Sequence, residues 1–277
     1  MEITDITGKV TLNNGVKMPY LGLGVFKSKD GTEVVDAINH AYEAGYRHID
    51  TASFYANEKG IGKAIRESDI HRSEIFVTTK VWNTDQGYKQ THKAFETSLN
   101  LMQLDYIDLY LVHWPVIGKS KDTWRALEEI YKSGKVKAIG VSNFLQFQLE
   151  DLLETANVVP AVNQMEFHPY LVQQDLIDYC KSKGIQYQSW SPLMVGKVLE
   201  IELLKELGQK YGKTPVQIVI RWNLQKDVVV IPKSVHRDRI FSNADVFDFE
   251  LSDEDLAHID ALDRNGRIGP DPANLGF

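Results

Sequence analysis

The chain has 277 residues, 43% hydrophobic and 25% charged, with a net charge of −7. That is the composition of a soluble globular protein, and the mild acidity argues against a general binder of nucleic acid or of a membrane surface. A single cysteine, Cys180, excludes an intrachain disulfide and a cysteine-based zinc site, and its helical stretch, Leu176 to Lys183, makes it a small helix-face residue. Met1-Glu-Ile-Thr-Asp5 is not a basic stretch leading into an apolar one, and no apolar run nears the roughly 20 residues of a membrane span. A cytoplasmic location is expected.

In chain order, Lys9 to Pro19 reads as two short strands about Asn14-Gly15, a dipeptide that favours the tight turn of a hairpin. Leu21-Gly-Leu-Gly-Val-Phe26 follows as a first interior strand, its glycines suited to close backbone approach. No GxGxxG fingerprint or phosphate loop is present, and Gly60-Ile-Gly62 falls inside a helical stretch. A nucleotide, if bound, is not bound by the doubly wound route.

Strands and helices then alternate. Strands are expected at Tyr46–Ile49, Glu74–Lys80, Asp105–His113, Val136–Ser142, Pro160–Gln164, Ile185–Trp190 and Val228–Ile231. Helices are expected at about 32–44, 57–68, 87–102, 122–132, 146–156, 173–183, 201–211, 215–225, 237–243 and 253–262. Eight strands with interleaved helices favour a parallel sheet. At this length that means a closed (β/α)₈ barrel, with a hairpin in front and extra helices after the seventh strand and at the C-terminus. Asp50, Lys80, His113, Asn143, Gln164, Trp190 and Lys233 mark strand ends 21 to 43 residues apart, near the roughly 30 that one strand–helix unit needs. No linker interrupts the pattern, so residues 1–277 are expected to be one domain. An open doubly wound sheet is the structural alternative.

In such a barrel the active site lies at the carboxyl ends of the strands. That rim would carry Asp50, Tyr55, Lys80, His113, Asn143, Gln164, Ser191 and Lys233. Each alone has a plain structural reading: a helix cap, a solvated lysine, a packed histidine, a Ser-Pro turn. Their shared placement is what points to chemistry. A phenol titrates near pH ~10, and a lysine ammonium beside it is expected to lower that value. Asp50 would keep the lysine charged and aimed, and His113 would orient a carbonyl. No serine is set up for activation by His113, and the other histidines are scattered over different elements, so no metal site is expected. A proton donor without nucleophile or metal suits carbonyl reduction, with hydride from a cofactor.

Over essentially its whole length the chain resembles an aldo-keto reductase. The motifs are Gly22-Leu-Gly24, Asp50-Thr-Ala with Tyr55 and Asn57-Glu58, Lys80-Val-Trp82, and Leu101 to His113 with Trp114-Pro115. They continue with Gly140-Val-Ser-Asn-Phe144, Asn163-Gln164, His168-Pro169, Trp190-Ser-Pro-Leu193, and Ile231-Pro-Lys-Ser234 with Arg239 and Asn243. The set is most similar to the short bacterial branch of glyoxal, methylglyoxal and 2,5-diketo-gluconate reductases, which protozoan prostaglandin F synthases share.

The resemblance implies a catalytic tetrad of Asp50, Tyr55, Lys80 and His113. It implies that Ser142, Asn143 and Gln164 hold a nicotinamide carboxamide and that the ring stacks on Trp190, where much of the family has tyrosine. Ser191 and Leu193 would line the pyrophosphate. Lys233, Ser234, Arg239 and Asn243 match the adenosine end, which implies NADPH rather than NADH. Ser242 departs from the glutamate often found facing the adenine. Phe26, Trp82 and Trp114 match the substrate pocket walls, and a monomer is the family's usual state. The family also includes regulatory channel subunits and lens crystallins, so a cofactor-binding regulatory or structural protein is the alternative; a barrel isomerase or lyase without a redox step is a further one. Short segments at 114–121, 194–200 and after Leu262 lead us to expect a wide, shallow mouth and small reactive carbonyl substrates.

Overall fold

The computed structural model describes residues 3–274. β1 (Lys9–Thr11) and β2 (Lys17–Pro19) pair antiparallel, with Thr11 opposite Lys17. Gly15 turns between them at φ 87°, in the left-handed region that glycine enters without steric cost. The hairpin is tied to one end of the barrel. The side-chain amides of Asn13 and Asn14 donate to the carbonyls of Pro160 (3.1 Å) and Lys137 (2.9 Å), at the amino ends of two barrel strands. The opposite end is left for the site.

Eight parallel strands follow, each hydrogen-bonded to the next in chain order: β3 (Leu23–Gly24), β4 (His48–Asp50), β5 (Phe76–Val81), β6 (Ile107–Val112), β7 (Val136–Ser142), β8 (Val162–Glu166), β9 (Gln186–Trp190) and β10 (Val229–Val230). The last strand meets the first. Parallel bridges join Leu21 to Val230 and Gly24 to Lys233, with Gly22 N–H donating to Val230 O at 2.9 Å and Val230 N–H to Tyr20 O at 2.8 Å. The glycines of this seam are required. A Cβ on Gly22 would lie 2.6 Å from His48 Nδ1, and one on Gly24 2.8 Å from the Ile231 carbonyl oxygen. The strands β5, β6 and β8 are buried at every position. Both faces of a parallel strand are covered, so none of these three alternates between buried and exposed positions, and the polar residues they carry are buried as well.

The intervening helices are α1 (Thr32–Glu43), α2 (Glu58–Arg66), α3 (Tyr88–Met102), α4 (Ser120–Lys132), α5 (Gln146–Leu153), α6 (Gln174–Ser182), α7 (Glu202–Tyr211) and α8 (Pro215–Gln225), with α9 (Arg237–Ala244) and α10 (Asp253–Asp260) after the last strand. Each buries one stripe. In α1 it is Val34, Ala37, Ile38 and Ala41, the i, i+3, i+4, i+7 spacing of a face turned to the sheet. α8 starts on a reciprocal cap: Thr214 Oγ1 accepts from Gln217 N–H, and Gln217 Oε1 accepts from Thr214 N–H, with Pro215 in the first turn.

The differences from the expected elements are at boundaries. The first interior strand contributes only Leu23–Gly24 to the ladder, because Leu21 is spent bridging Val230. Glu74 belongs to a 3₁₀ turn, Arg72–Glu74, before β5. Asn57 does not extend α2; its amide donates to the carbonyls of Val25 (3.0 Å) and Ser28 (3.1 Å) and its oxygen accepts from Thr51 Oγ1, bracing the rim instead. The 194–200 segment is a kinked 3₁₀ stretch with Met194, Val195 and Gly196 all at positive φ.

Candidate active site

The carboxyl ends of the strands bring Asp50, Tyr55, Lys80, His113, Asn143 and Gln164 to one place. Asp50 is the last residue of β4. Lys80 is next to last in β5, and its side chain runs inward, fully buried, so it is no surface lysine. Its Nζ lies 2.6 Å from Asp50 Oδ1 and donates to the Thr51 carbonyl at 2.8 Å. The other Asp50 oxygen accepts from Gln164 Nε2 at 2.7 Å, and the same nitrogen donates to Gln188 Oε1 at 3.0 Å. A buried charge pair persists only with such further hydrogen bonds, because both groups have lost water. Burial pushes Asp50 up and Lys80 down from their ordinary values, and each group's charge works against that for the other.

Tyr55 ends a 3₁₀ turn, Ser53–Tyr55, above this pair. Ser53 Oγ fastens the turn by donating to the Lys80 carbonyl at 3.0 Å, and Ala56 closes it in the left-handed region at φ 54°. Lys80 Nζ lies 5.2 Å from the Tyr55 ring centroid. The expectation that the lysine lowers the phenol's pKa is corrected here. Burial, and then the Asp50 carboxylate, hold Tyr55 well above the usual phenol value. The Lys80 ammonium is already matched by Asp50, so the pair presents little net positive charge to the ring. The phenol therefore stays protonated at neutral pH.

His113 follows β6, its N–H donating to Val81 O at 3.2 Å. Its imidazole stands edge-on to both Tyr55 (5.8 Å between centroids) and Trp82 (5.0 Å). Burial, and then the Lys80 charge, hold it well below the usual histidine value, so it is neutral and keeps one N–H to donate. Phe26 packs against Tyr55 at 4.9 Å, and Phe54 stacks on Trp82 at 3.8 Å. Phe26 and Phe54 are about half exposed, whereas Trp114 is buried and meets Trp190 edge-on at 6.4 Å.

Across the mouth, Ser142 ends β7 and Asn143 follows at φ 66°. Asn143 Nδ2 donates to the His113 carbonyl (3.0 Å) and to Ser142 Oγ (3.1 Å), and its oxygen accepts from Trp190 Nε1 at 2.8 Å. Ser191, at φ 53°, and Leu193 continue from β9 at intermediate exposure. Lys233, Ser234, Arg239 and Asn243 form a separate group beyond β10 and on α9, where 239 and 243 share a face by their i, i+4 spacing. Lys233 and Arg239 stand exposed without an ion pair among the described residues, while the neighbouring Arg237 is tied to Glu43. Among the described residues no group of three or more His, Cys, Asp or Glu side chains could hold a metal, and no helix is long and apolar enough to cross a membrane.

The sequence reading missed several members. Gln188 and the Thr51 carbonyl complete the polar network, and Phe54 completes the aromatic wall. Gln188 stands two residues before the strand end, on the same inward face as Trp190, which is the signal that could have found it. Glu166 was also passed over; it stands two residues after Gln164 at the end of β8.

The aldo/keto reductase family model matches residues 20–264. The chain belongs to that family. This aldo/keto reductase is 54% identical to "Glyoxal reductase" of Bacillus subtilis (strain 168) over 99% of each chain. It is 46% identical to "Methylglyoxal reductase DkgA" of Escherichia coli (strain K12), over 96% of this chain and 98% of that protein. Among solved structures, a Gox0644 variant in complex with NADPH superposes with a TM-score of 0.92 at 42% identity, covering 98% of this chain and 99% of that one. The reductase is thus an oxidoreductase with the (β/α)₈ fold.

The ion pair gives a stability test of the site. Asp50→Asn alone, or Lys80→Met alone, strands a buried charge and should cost about 3–5 kcal/mol by urea unfolding. The double variant should cost clearly less than the two together. Strict additivity would show that the pair does not act as one unit.

Proposed function

We propose that this reductase converts small reactive aldehydes and ketones to alcohols with NADPH, Tyr55 giving the proton. The observation that carries the reading is geometric: the Tyr55 ring 5.2 Å from Lys80 Nζ, the buried Lys80 2.6 Å from Asp50, and the His113 imidazole edge-on to Tyr55, all on one rim of the barrel. The names of the glyoxal and methylglyoxal reductases support the substrate class, and the NADPH-bound relative supports the cofactor.

The residues present fit NADPH. Among the described residues Lys233 and Arg239 have no ion-pair partner, which suits them to a ribose phosphate. Gln164 has committed both amide hydrogens, to Asp50 and Gln188, so its Oε1 remains to accept from a carboxamide. Trp190 is partly exposed and offers a π face to a nicotinamide ring. Bound NADPH supplies a hydride to the carbonyl carbon. The chain's own groups do the rest. The His113 N–H and the Tyr55 O–H converge on the carbonyl oxygen and hold it in place. As negative charge develops there, Tyr55 releases its proton to the oxygen, and the nearby Lys80 ammonium stabilises the resulting phenolate. Phe26, Trp82 and Trp114 turn the carbonyl group inward and exclude water from it.

Tyr55→Phe should reduce kcat to a few per cent or less while NADPH binding, followed by fluorescence, stays nearly unchanged. A variant with most of its kcat would remove Tyr55 from the role of acid. Arg239→Ala should weaken NADPH binding by about 1.5–3 kcal/mol, the scale of hydrogen bonds to a charged group. NADH binding should hardly change, and equal losses for both cofactors would assign Arg239 a structural role instead. The half-exposed Phe26 and Phe54 leave the mouth open, so a large apolar substrate would be buried less fully than in a closed pocket. Methylglyoxal or a nitrobenzaldehyde should therefore give the higher kcat/KM, and a steroid ketone that outperforms them would refute this account of specificity.

A further inference from the structure

The mechanism above makes no use of the most heavily hydrogen-bonded carboxylate at the mouth. Glu166 ends β8 directly opposite Trp190 in the parallel ladder, and it is buried. Its Oε1 accepts from the Ile268 N–H at 2.6 Å and the Gly269 N–H at 3.1 Å, and its Oε2 lies 3.2 Å from the same Gly269 nitrogen. His168 Nε2 stands 3.0 Å from Oε1 and backs the carboxylate from the protein side. Gln173 ties the two partners again: its Nε2 donates to the Glu166 carbonyl, and its Oε1 accepts from Arg267. The segment after α10 is therefore not a loose end. It is drawn onto the strand terminus by a buried negative charge.

What the segment touches there is the indole. A Cβ on Gly269 would lie 2.4 Å from Trp190 Cη2 and 3.3 Å from Cζ3, so this glycine's backbone is packed on the six-membered edge of the ring. The opposite edge is held by Nε1 donating to Asn143 Oδ1. An indole fixed at both edges can present its face at only one tilt.

We propose that Glu166 is a positioning residue for the nicotinamide half of the site: its carboxylate pins the 268–269 backbone against Trp190 and so fixes the ring on which the nicotinamide rests. This inference depends on the NADPH reading above. It assigns no contact between Glu166 and the substrate or cofactor. It predicts that loosening the clamp disturbs one end of the cofactor and leaves the other end alone.

The experiment measures dissociation constants for NADPH and for 2′,5′-ADP, which carries only the adenine end, in Glu166→Gln, Gly269→Ala and Trp190→Ala. In Glu166→Gln an amide N–H₂ competes for the place of an accepting oxygen, and in Gly269→Ala the new methyl displaces the ring or the segment. Both should weaken NADPH by about tenfold, the size of one lost charge-assisted hydrogen bond, with 2′,5′-ADP binding unchanged. Glu166→Asp, which restores the charge, should recover part of the loss. Equal weakening of both ligands, or no weakening in Glu166→Gln and Gly269→Ala while Trp190→Ala loses NADPH, would overturn the inference and leave the cofactor reading standing. If Trp190→Ala itself binds NADPH normally, the stacking reading fails, and the inference falls with it. Should Glu166→Gln not fold, Gly269→Ala, in the segment outside the barrel, decides the matter by the same comparison.

Discussion

Everything at the mouth of this barrel depends on a lysine ammonium held without water. Lys80 is fully buried, and an ammonium of that kind survives only beside a compensating charge. Asp50 supplies it at 2.6 Å. Asp50 in turn has its second oxygen occupied by Gln164, and Gln164 is steadied by Gln188. Four side chains from four strands, β4, β5, β8 and β9, thus have to meet in one register. The closing seam at Gly22 and Gly24 matters for the same reason. Closure of the sheet holds β4 at its distance from β8, and without it the carboxylate and the amide would not share a hydrogen bond.

The electrostatics of the pair also correct a simple picture of acid activation. In isolation a cation near a phenol lowers its pKa. Here the cation comes with its own anion, and burial penalises the phenolate, so Tyr55 stays well above the usual phenol value. The arrangement suits a donor that must keep its proton until an oxygen nearby becomes more basic than itself. In the proposed reaction the Lys80 ammonium would offset part of the cost that burial and Asp50 place on the phenolate. The neutral His113 fits the same logic, because a charged imidazolium beside Lys80 would add an uncompensated repulsion.

Much of this was legible in the chain. Strand ends recur at intervals near one strand–helix unit, and a barrel puts such ends on one rim, so Asp50, Tyr55, Lys80 and His113 could be placed together before any coordinates. The boundaries were less legible. Asn57 has a helix former's neighbours, yet its side chain is taken by the carbonyls of Val25 and Ser28, a tertiary demand that local pattern does not encode. The direction of the Tyr55 shift was misjudged because spacing shows which charges are neighbours but not which are already paired. Apart from His168 two residues on, the partners of Glu166 are main-chain N–H groups about 100 residues away, and any residue type except proline can supply those, so local pattern does not mark it.

The hydrogen atoms already committed within the site constrain how a ligand can lie. Gln164 has given both amide hydrogens to Asp50 and Gln188, and Asn143 has given both of its own to the His113 carbonyl and Ser142 Oγ. Ser142 Oγ donates onward to the Gln164 carbonyl at 2.9 Å. What these three side chains have left is acceptor capacity. A cofactor carboxamide in the proposed position would thus meet them chiefly through its N–H₂, which sets which way round the amide lies. The same hydrogen bonds that keep a buried ion pair alive leave the site able to read an orientation. Stability of the charged core and orientation of the amide are, on this reading, two consequences of one network.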